Sequence, residues 1–172
     1  MRAIAKISVL LIVLLLSCNQ QDNLNKAIEQ EKIITKNIDA FTNVFFNEKD
    51  SSQLNNILTD DFVRYMNGIE VASNIEEFKA SMKVIFKGFP DLKIENQIKI
   101  VKDNHAFVQW DLTGVNTGNY GENPPTGKKV KISGLSHLYF NEEGKMYKQD
   151  VYYNELNLLQ QLGYTFTQPI VE

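Results

Sequence analysis

Cysteine, tryptophan and histidine are scarce in this sequence, one, one and two respectively in 172 residues, and each scarcity closes off a class of chemistry. A lone cysteine, Cys18, cannot form an internal disulfide. His105 and His137 stand far apart in the chain, with no Cys, Asp or Glu around them at ligand spacing, so no metal site is expected. No glycine-rich phosphate cradle leads into a helix, and no nucleophile elbow occurs. Basic residues are not in surplus, with 18 Lys and Arg against 21 Asp and Glu and a net charge of −3. That balance argues against nucleic acid as a partner. After residue 24 there is no Pro/Gly/Ser-rich linker, repeat or low-complexity tract, which leaves room for one domain.

No apolar run reaches the roughly 20 residues needed to span a bilayer as a helix. The longest, Ile7 to Leu16, follows the basic residues Arg2 and Lys6 and stops at Ser17-Cys18. That order is a basic n-region followed by the h-region of a signal peptide. A small residue immediately before the only cysteine resembles a lipobox. The resemblance implies that residues 1–17 are a lipoprotein signal peptide and that Cys18 becomes an N-terminus carrying acyl chains such as palmitate. Two or more chains suffice for stable anchoring where one is marginal. The expectation is export across the inner membrane and a lipid anchor on a bacterial membrane, inner or outer, with residues 18–24 as a polar tether and 25–172 as the domain. An ordinary secretory signal with an incidental cysteine is the alternative.

The remaining chain changes period once. From about Leu24 to Asn47, Ala27, Ile34, Ile38, Phe41 and Phe45 form one stripe of a long amphipathic helix. Ser51-Ser52 can cap a short second helix with Leu54, Ile57 and Leu58, and Asp61 to Met66 reads as a short strand ended by the turn Asn67-Gly68. Ser73 with Glu76 suggests a capping box for a third helix, which presents Phe78, Met82, Ile85 and Phe86 on one face and is stopped by Gly88 and Pro90. After Pro90 the period becomes 2. Leu92, Ile94, Ile98 and Ile100 form the apolar side of one strand, and Ala106, Val108, Trp110 and Leu112 that of the next. A third strand spans Lys128 to Phe140, with Val130, Ile132, Gly134, Ser136 and Leu138 on one side, and a fourth spans Lys145 to Asn154. Between the second and third strands, Gly114 to Gly127 is a loop that suits either a lip over a pocket or a long hairpin connection. Helices first and hairpin-linked strands afterwards indicate an α+β fold with an antiparallel sheet.

Several short motifs recur in a recognisable order: Phe89-Pro90-Asp91-Leu92, Val108 to Trp110, Thr113-Gly114, Asn116-Thr117-Gly118, Pro124-Pro125-Thr126-Gly127-Lys128, Gly134, Gly144-Lys145 and Leu158 to Gly163. Jointly they resemble the SnoaL-like polyketide cyclase or ester cyclase family of the nuclear transport factor 2-like superfamily, over roughly residues 40–163. The resemblance implies a cone in which helices pack on a strongly curved antiparallel sheet around a small-molecule pocket. It also implies a cofactor-independent cyclase, isomerase or hydrolase acting on an apolar carbonyl compound, and a sheet face available for homodimerisation. Characterised cyclases of the family use an acidic side chain on the last strand to move the proton.

The position of that acid is occupied here by Asn154, which exchanges no proton at ordinary pH. Asp150, four residues earlier, shares its strand face by period 2 with Met146, Lys148, Tyr152 and Asn154. If that face lines the pocket, Asp150 is the candidate catalytic base; otherwise it is a solvated residue or a partner of Lys148. Trp110, Tyr152 and Asn154 are candidate ligand contacts, against the plainer readings of core packing, sheet tyrosine and strand-end asparagine. The rival to an enzyme is a non-catalytic lipoprotein that holds a hydrophobic ligand or a protein partner.

Overall fold

The computed structural model describes residues 2–165 and 167, with side chains from residue 21 onward. Cys18, the expected lipidation residue, lies outside the described side chains. Among the described residues no helix is long and apolar enough to cross a membrane.

Helix α1 runs over Arg2–Ala40, through the segment expected as a tether. The side-chain amide of Gln30 ties the helix to the domain, reaching the Asn141 carbonyl at 3.0 Å. From there Ile34 and Ile38 are buried, whereas Ala27, predicted on the same stripe, is exposed, as are Leu24 and Ile28. At Phe41 the winding widens into a π-helical segment, Phe41–Asn47, that buries Phe41, Phe45 and Phe46. These three rings form an aromatic cluster with Phe78, Phe86 and Phe62.

After the single-turn helix α2 (Leu54–Ile57) comes β1 (Leu58–Met66), then β2 (Ile69–Ala72), a strand with no counterpart in the sequence reading. Helix α3 spans Ile75–Gly88. Its cap lies one residue beyond the predicted box: Asn74 Oδ1 accepts from Glu77 N at 2.9 Å, and Glu77 accepts in return from Ser73 N. Ile75, Phe78 and Met82 are buried, with Ile85 and Phe86 at the edge of the core, as the helical spacing requires. Then follow β3 (Lys93–Lys102), β4 (His105–Val115), β5 (Lys129–Phe140), β6 (Met146–Tyr153) and α4 (Glu155–Leu162).

The six strands form one sheet in the order β2-β1-β6-β5-β4-β3. It is antiparallel except where β1 lies parallel to β6, a long-range pairing that alternation within single strands does not reveal. Bulges interrupt the ladder in β3 around Gln97 and in β6 around Tyr147. A bulge bends its strand, and the one extra residue reverses which side chains face inward. Residues 98 and 100 therefore leave the core side. Ile98 and Ile100, predicted as buried, are 51% and 59% exposed on the outer face.

Candidate functional site

The inner face of β1, β6, β5, β4 and β3, roofed by α1, the π-helical segment, α3 and α4, encloses an apolar cavity of about 100 Å³. Val130, Ile132 and Leu138 of β5 and Val108, Trp110 and Leu112 of β4 line its floor, as the alternation of those strands predicts. The Trp110 indole lies over Gly134, the residue opposite it in the ladder. A Cβ at Gly134 would stand 2.2 Å from the indole, so only glycine lets the ring lie flat there.

A strip of polar groups crosses this apolar floor. Arg64 is paired with Gln149 across β1 and β6. Gln149 Nε2 reaches Ser136 Oγ at 3.4 Å, and Trp110 Nε1 donates to the same oxygen at 3.0 Å. Arg64, Gln149 and Ser136 are all buried. The Arg64 guanidinium stacks on Phe78 at 5.2 Å and turns Nη1 toward Met82 Sδ at 3.3 Å. Among the described residues its Nε has no hydrogen-bond partner, nor has Gln149 Oε1.

Burial lowers the Arg64 pKa to about 10, which leaves the group cationic at neutral pH. The other ionisable groups lining the cavity are Tyr153, pushed up to about 12 by burial, and Tyr120, raised by the same cause. Both phenols hold their protons at neutral pH. Among the described residues no Asp, Glu or His lines the cavity.

Tyr120 comes from the loop between β4 and β5, and the buried side chain of Asn116 fixes that loop. Asn116 Nδ2 donates to the Gly88 and Gly118 carbonyls, and its Oδ1 accepts from Thr126 N and Thr126 Oγ1, all at 2.8–3.0 Å. Asp91 adds a bond from Val115 N at 2.8 Å. The Tyr120 ring then packs edge-on against Phe89 at 5.6 Å. The loop is the long hairpin connection between the antiparallel strands β4 and β5, and it also brings Tyr120 to the cavity lining, held in place by Asn116.

The structure brings one predicted ligand contact, Trp110, into the cavity and corrects the placement of three other residues. Asp150, the candidate base, faces the outer side of β6 with Lys148 and Tyr152. It is bound to Lys148 Nζ at 3.1 Å and accepts from Tyr139 Oη at 2.9 Å. Burial and that bond together push the Tyr139 phenol up to about 12. Tyr152 is 48% exposed on the same outer face. Asn154 caps α4, its Oδ1 accepting from Asn157 N at 2.9 Å. The cause of the misreading is the bulge at Tyr147: Met146 is in the core, so counting by twos from it puts the wrong set inside. The inward set is Gln149, Val151 and Tyr153.

Arg64 and Gln149 are not among the site candidates that the sequence pattern offers. A signal for Arg64 existed, since Phe62, Arg64 and Met66 alternate on one strand face and an arginine between two large apolar residues is out of place there. Gln149 carried no such signal.

The family model of SnoaL-like polyketide cyclases matches residues 36–162. No curated protein sequence matches the chain. Among solved structures, a protein of Jannaschia sp. CCS1 described as a SnoaL-like polyketide cyclase superposes with a TM-score of 0.70 at 19% identity, covering 78% of this chain and 94% of its own. IdmH of Streptomyces antibioticus, described as a polyketide cyclase, gives 0.66 at 17% identity, covering 76% and 99%. A phenazine biosynthesis-related protein of Pseudomonas aeruginosa gives 0.66 at 17%, covering 87% and 97%. At these identities the structural likeness concerns the fold.

Proposed function

Because the chain belongs to the SnoaL-like polyketide cyclase family, we propose that it is a small-molecule pocket protein that holds its ligand in the cavity over Trp110 without carboxylate-driven proton transfer. The observation that carries this reading is the lining itself. Ring closure or isomerisation at a carbonyl calls for a group that takes and returns a proton near neutral pH. The cavity presents an arginine and two tyrosines that keep their protons there, and the nearest predicted base, Asp150, is committed to Lys148 and Tyr139 on the far side of β6. The ester cyclase activity implied by resemblance has no support from Asp150. The cavity volume of about 100 Å³ points to a compact ligand, since it lies below the about 150 Å³ of an apolar cavity that takes benzene and far below drug-sized pockets of about 300–1,000 Å³.

The segment before the domain supports a second part of the proposal, that this pocket is held at a bacterial membrane by acyl chains on Cys18. Basic residues, a short apolar run and Ser17-Cys18 occur in the order that lipoprotein processing requires. The outer sheet face, with Ile98, Ile100, Phe107 and Leu135 exposed, favours pairing with a second copy of the chain.

Mass spectrometry of small molecules that co-purify with the full-length protein, repeated with Asp150→Asn, tests the central reading. The expected result is the same bound pool in both proteins. Loss of a product from the Asp150→Asn pool, with its precursor still bound, would establish catalysis through Asp150 and sink the proposal.

A further inference from the structure

The charge state of the cavity specifies more about its ligand than its shape does. Arg64 is 8% exposed, its Nε lacks a partner, and among the described residues its one hydrogen-bond acceptor is a thioether sulfur. Among the described residues no carboxylate lines the cavity with it. A buried guanidinium is stable when paired and costly when it is not, because the interior replaces neither its hydration nor a counter-charge. Phe78 beneath the plane offers partial compensation through its ring face. An anion placed against the guanidinium would supply the counter-charge.

We infer that the cavity takes a compact carboxylic acid, its carboxylate against the Arg64 guanidinium and its apolar body, one ring at most, over Trp110. This inference rests on the reading of the cavity as a ligand site. Three observations select that class. Arginine's planar fork matches a carboxylate with two parallel bonds. Ser136 Oγ already accepts from Trp110 and Gln149, so its own hydrogen is free to donate to an oxygen placed beside Arg64. Away from this strip the lining is dominated by Ile, Leu, Val and Phe, which a wholly polar anion such as phosphate would leave unfilled. A neutral ester or ketone would occupy the same space but leave the positive charge uncancelled.

Trp110 is the only tryptophan in the chain, so its fluorescence reports on the cavity without a label. The full-length protein is titrated with benzoate, benzamide and inorganic phosphate at constant ionic strength. Benzoate is expected to bind saturably and about tenfold more tightly than benzamide, with phosphate giving no response. In Arg64→Met the two ring compounds should bind alike, whereas Arg64→Lys should keep part of the preference. Should the Met variant not fold, Arg64→Gln replaces it in the same comparison.

Equal binding of benzoate and benzamide by the unaltered protein would overturn the inference while leaving the cavity as a ligand site. So would a preference for benzoate that persists without the Arg64 charge, since the anion would then sit elsewhere. A response to phosphate equal to that of benzoate would mark a plain anion site and also overturn it. If neither ring compound perturbs Trp110, the reading of the cavity as a site falls with it.

Discussion

Arg64 departs most sharply from the apolar character of the inner face, and it has a consequence for stability. An unpaired buried cation opposes folding, so Arg64→Met, similar in volume and apolar, is expected to raise the unfolding free energy of the unliganded protein by about 1–3 kcal/mol. Urea denaturation of the two proteins checks this; a Met variant less stable than the parent would mean that Met82 and Phe78 compensate the charge fully. Retaining a destabilising residue is reasonable where a ligand needs it, because functional sites commonly lie below the stability optimum. Asp150 illustrates the opposite case. Its neighbours Lys148 and Tyr139 satisfy it, Lys148 in turn lies over the rings of Tyr65 and Tyr139, and the group is structural in its contacts. Its place near the family's acid position and a count by twos along the strand make Asp150 the candidate base, and the direction of its side chain removes it.

At the scale of elements, two bulges and one loop decide what the cavity contains. A strand without a bulge keeps its faces, and β4 and β5 were legible from alternation over their whole length, Trp110 and Ser136 included. In β3 and β6 the register shifts, and alternation failed beyond each shift: Ile98 and Ile100 turned outward, and Asp150 left the pocket side. Composition gives little notice of such a shift, because the extra residue is specified by the partner strand. The loop between β4 and β5 depends on one side chain. Asn116→Ala would strip the partner from the Gly118 carbonyl and from Thr126 N and leave the buried Gly88 carbonyl only its bond from Gly118 N at 3.3 Å, and its expected cost is about 1–2 kcal/mol by denaturant unfolding. Tyr120 should then release its hold on Phe89, and a loss below about 0.5 kcal/mol would show that the loop is held by its backbone and Asp91 instead.

For the whole molecule, two surfaces remain to be assigned. The outer sheet face places Ile100 beside Phe107 and, two strands over, Leu135 beside Tyr152, all exposed. Pairing of two copies through this face predicts a dimer of the full-length protein in detergent by sedimentation at micromolar concentration, converted to monomer by Phe107→Asp. A monomer in the unaltered protein would refute it. The second surface is on α1, where Leu24 and Ile28 are exposed between Cys18 and the buried Ile34. Metabolic labelling with a palmitate analogue should mark the parent chain and leave Cys18→Ser unlabelled and released from membranes. Equal labelling of both would remove lipidation at Cys18.

The sequence by itself determined the α+β class, the family and the inward faces of β4 and β5, because those follow from local periodicity and from motifs contiguous in the chain. Tertiary structure alone decided the parallel pairing of β1 with β6, the facing of Asp150, the capping role of Asn154 and the meeting of Arg64, Gln149, Ser136 and Trp110. Those four residues come from four strands spread over positions 64 to 149. Each is brought to the strip by a register, and a register is a property of two strands that neither strand's sequence states alone.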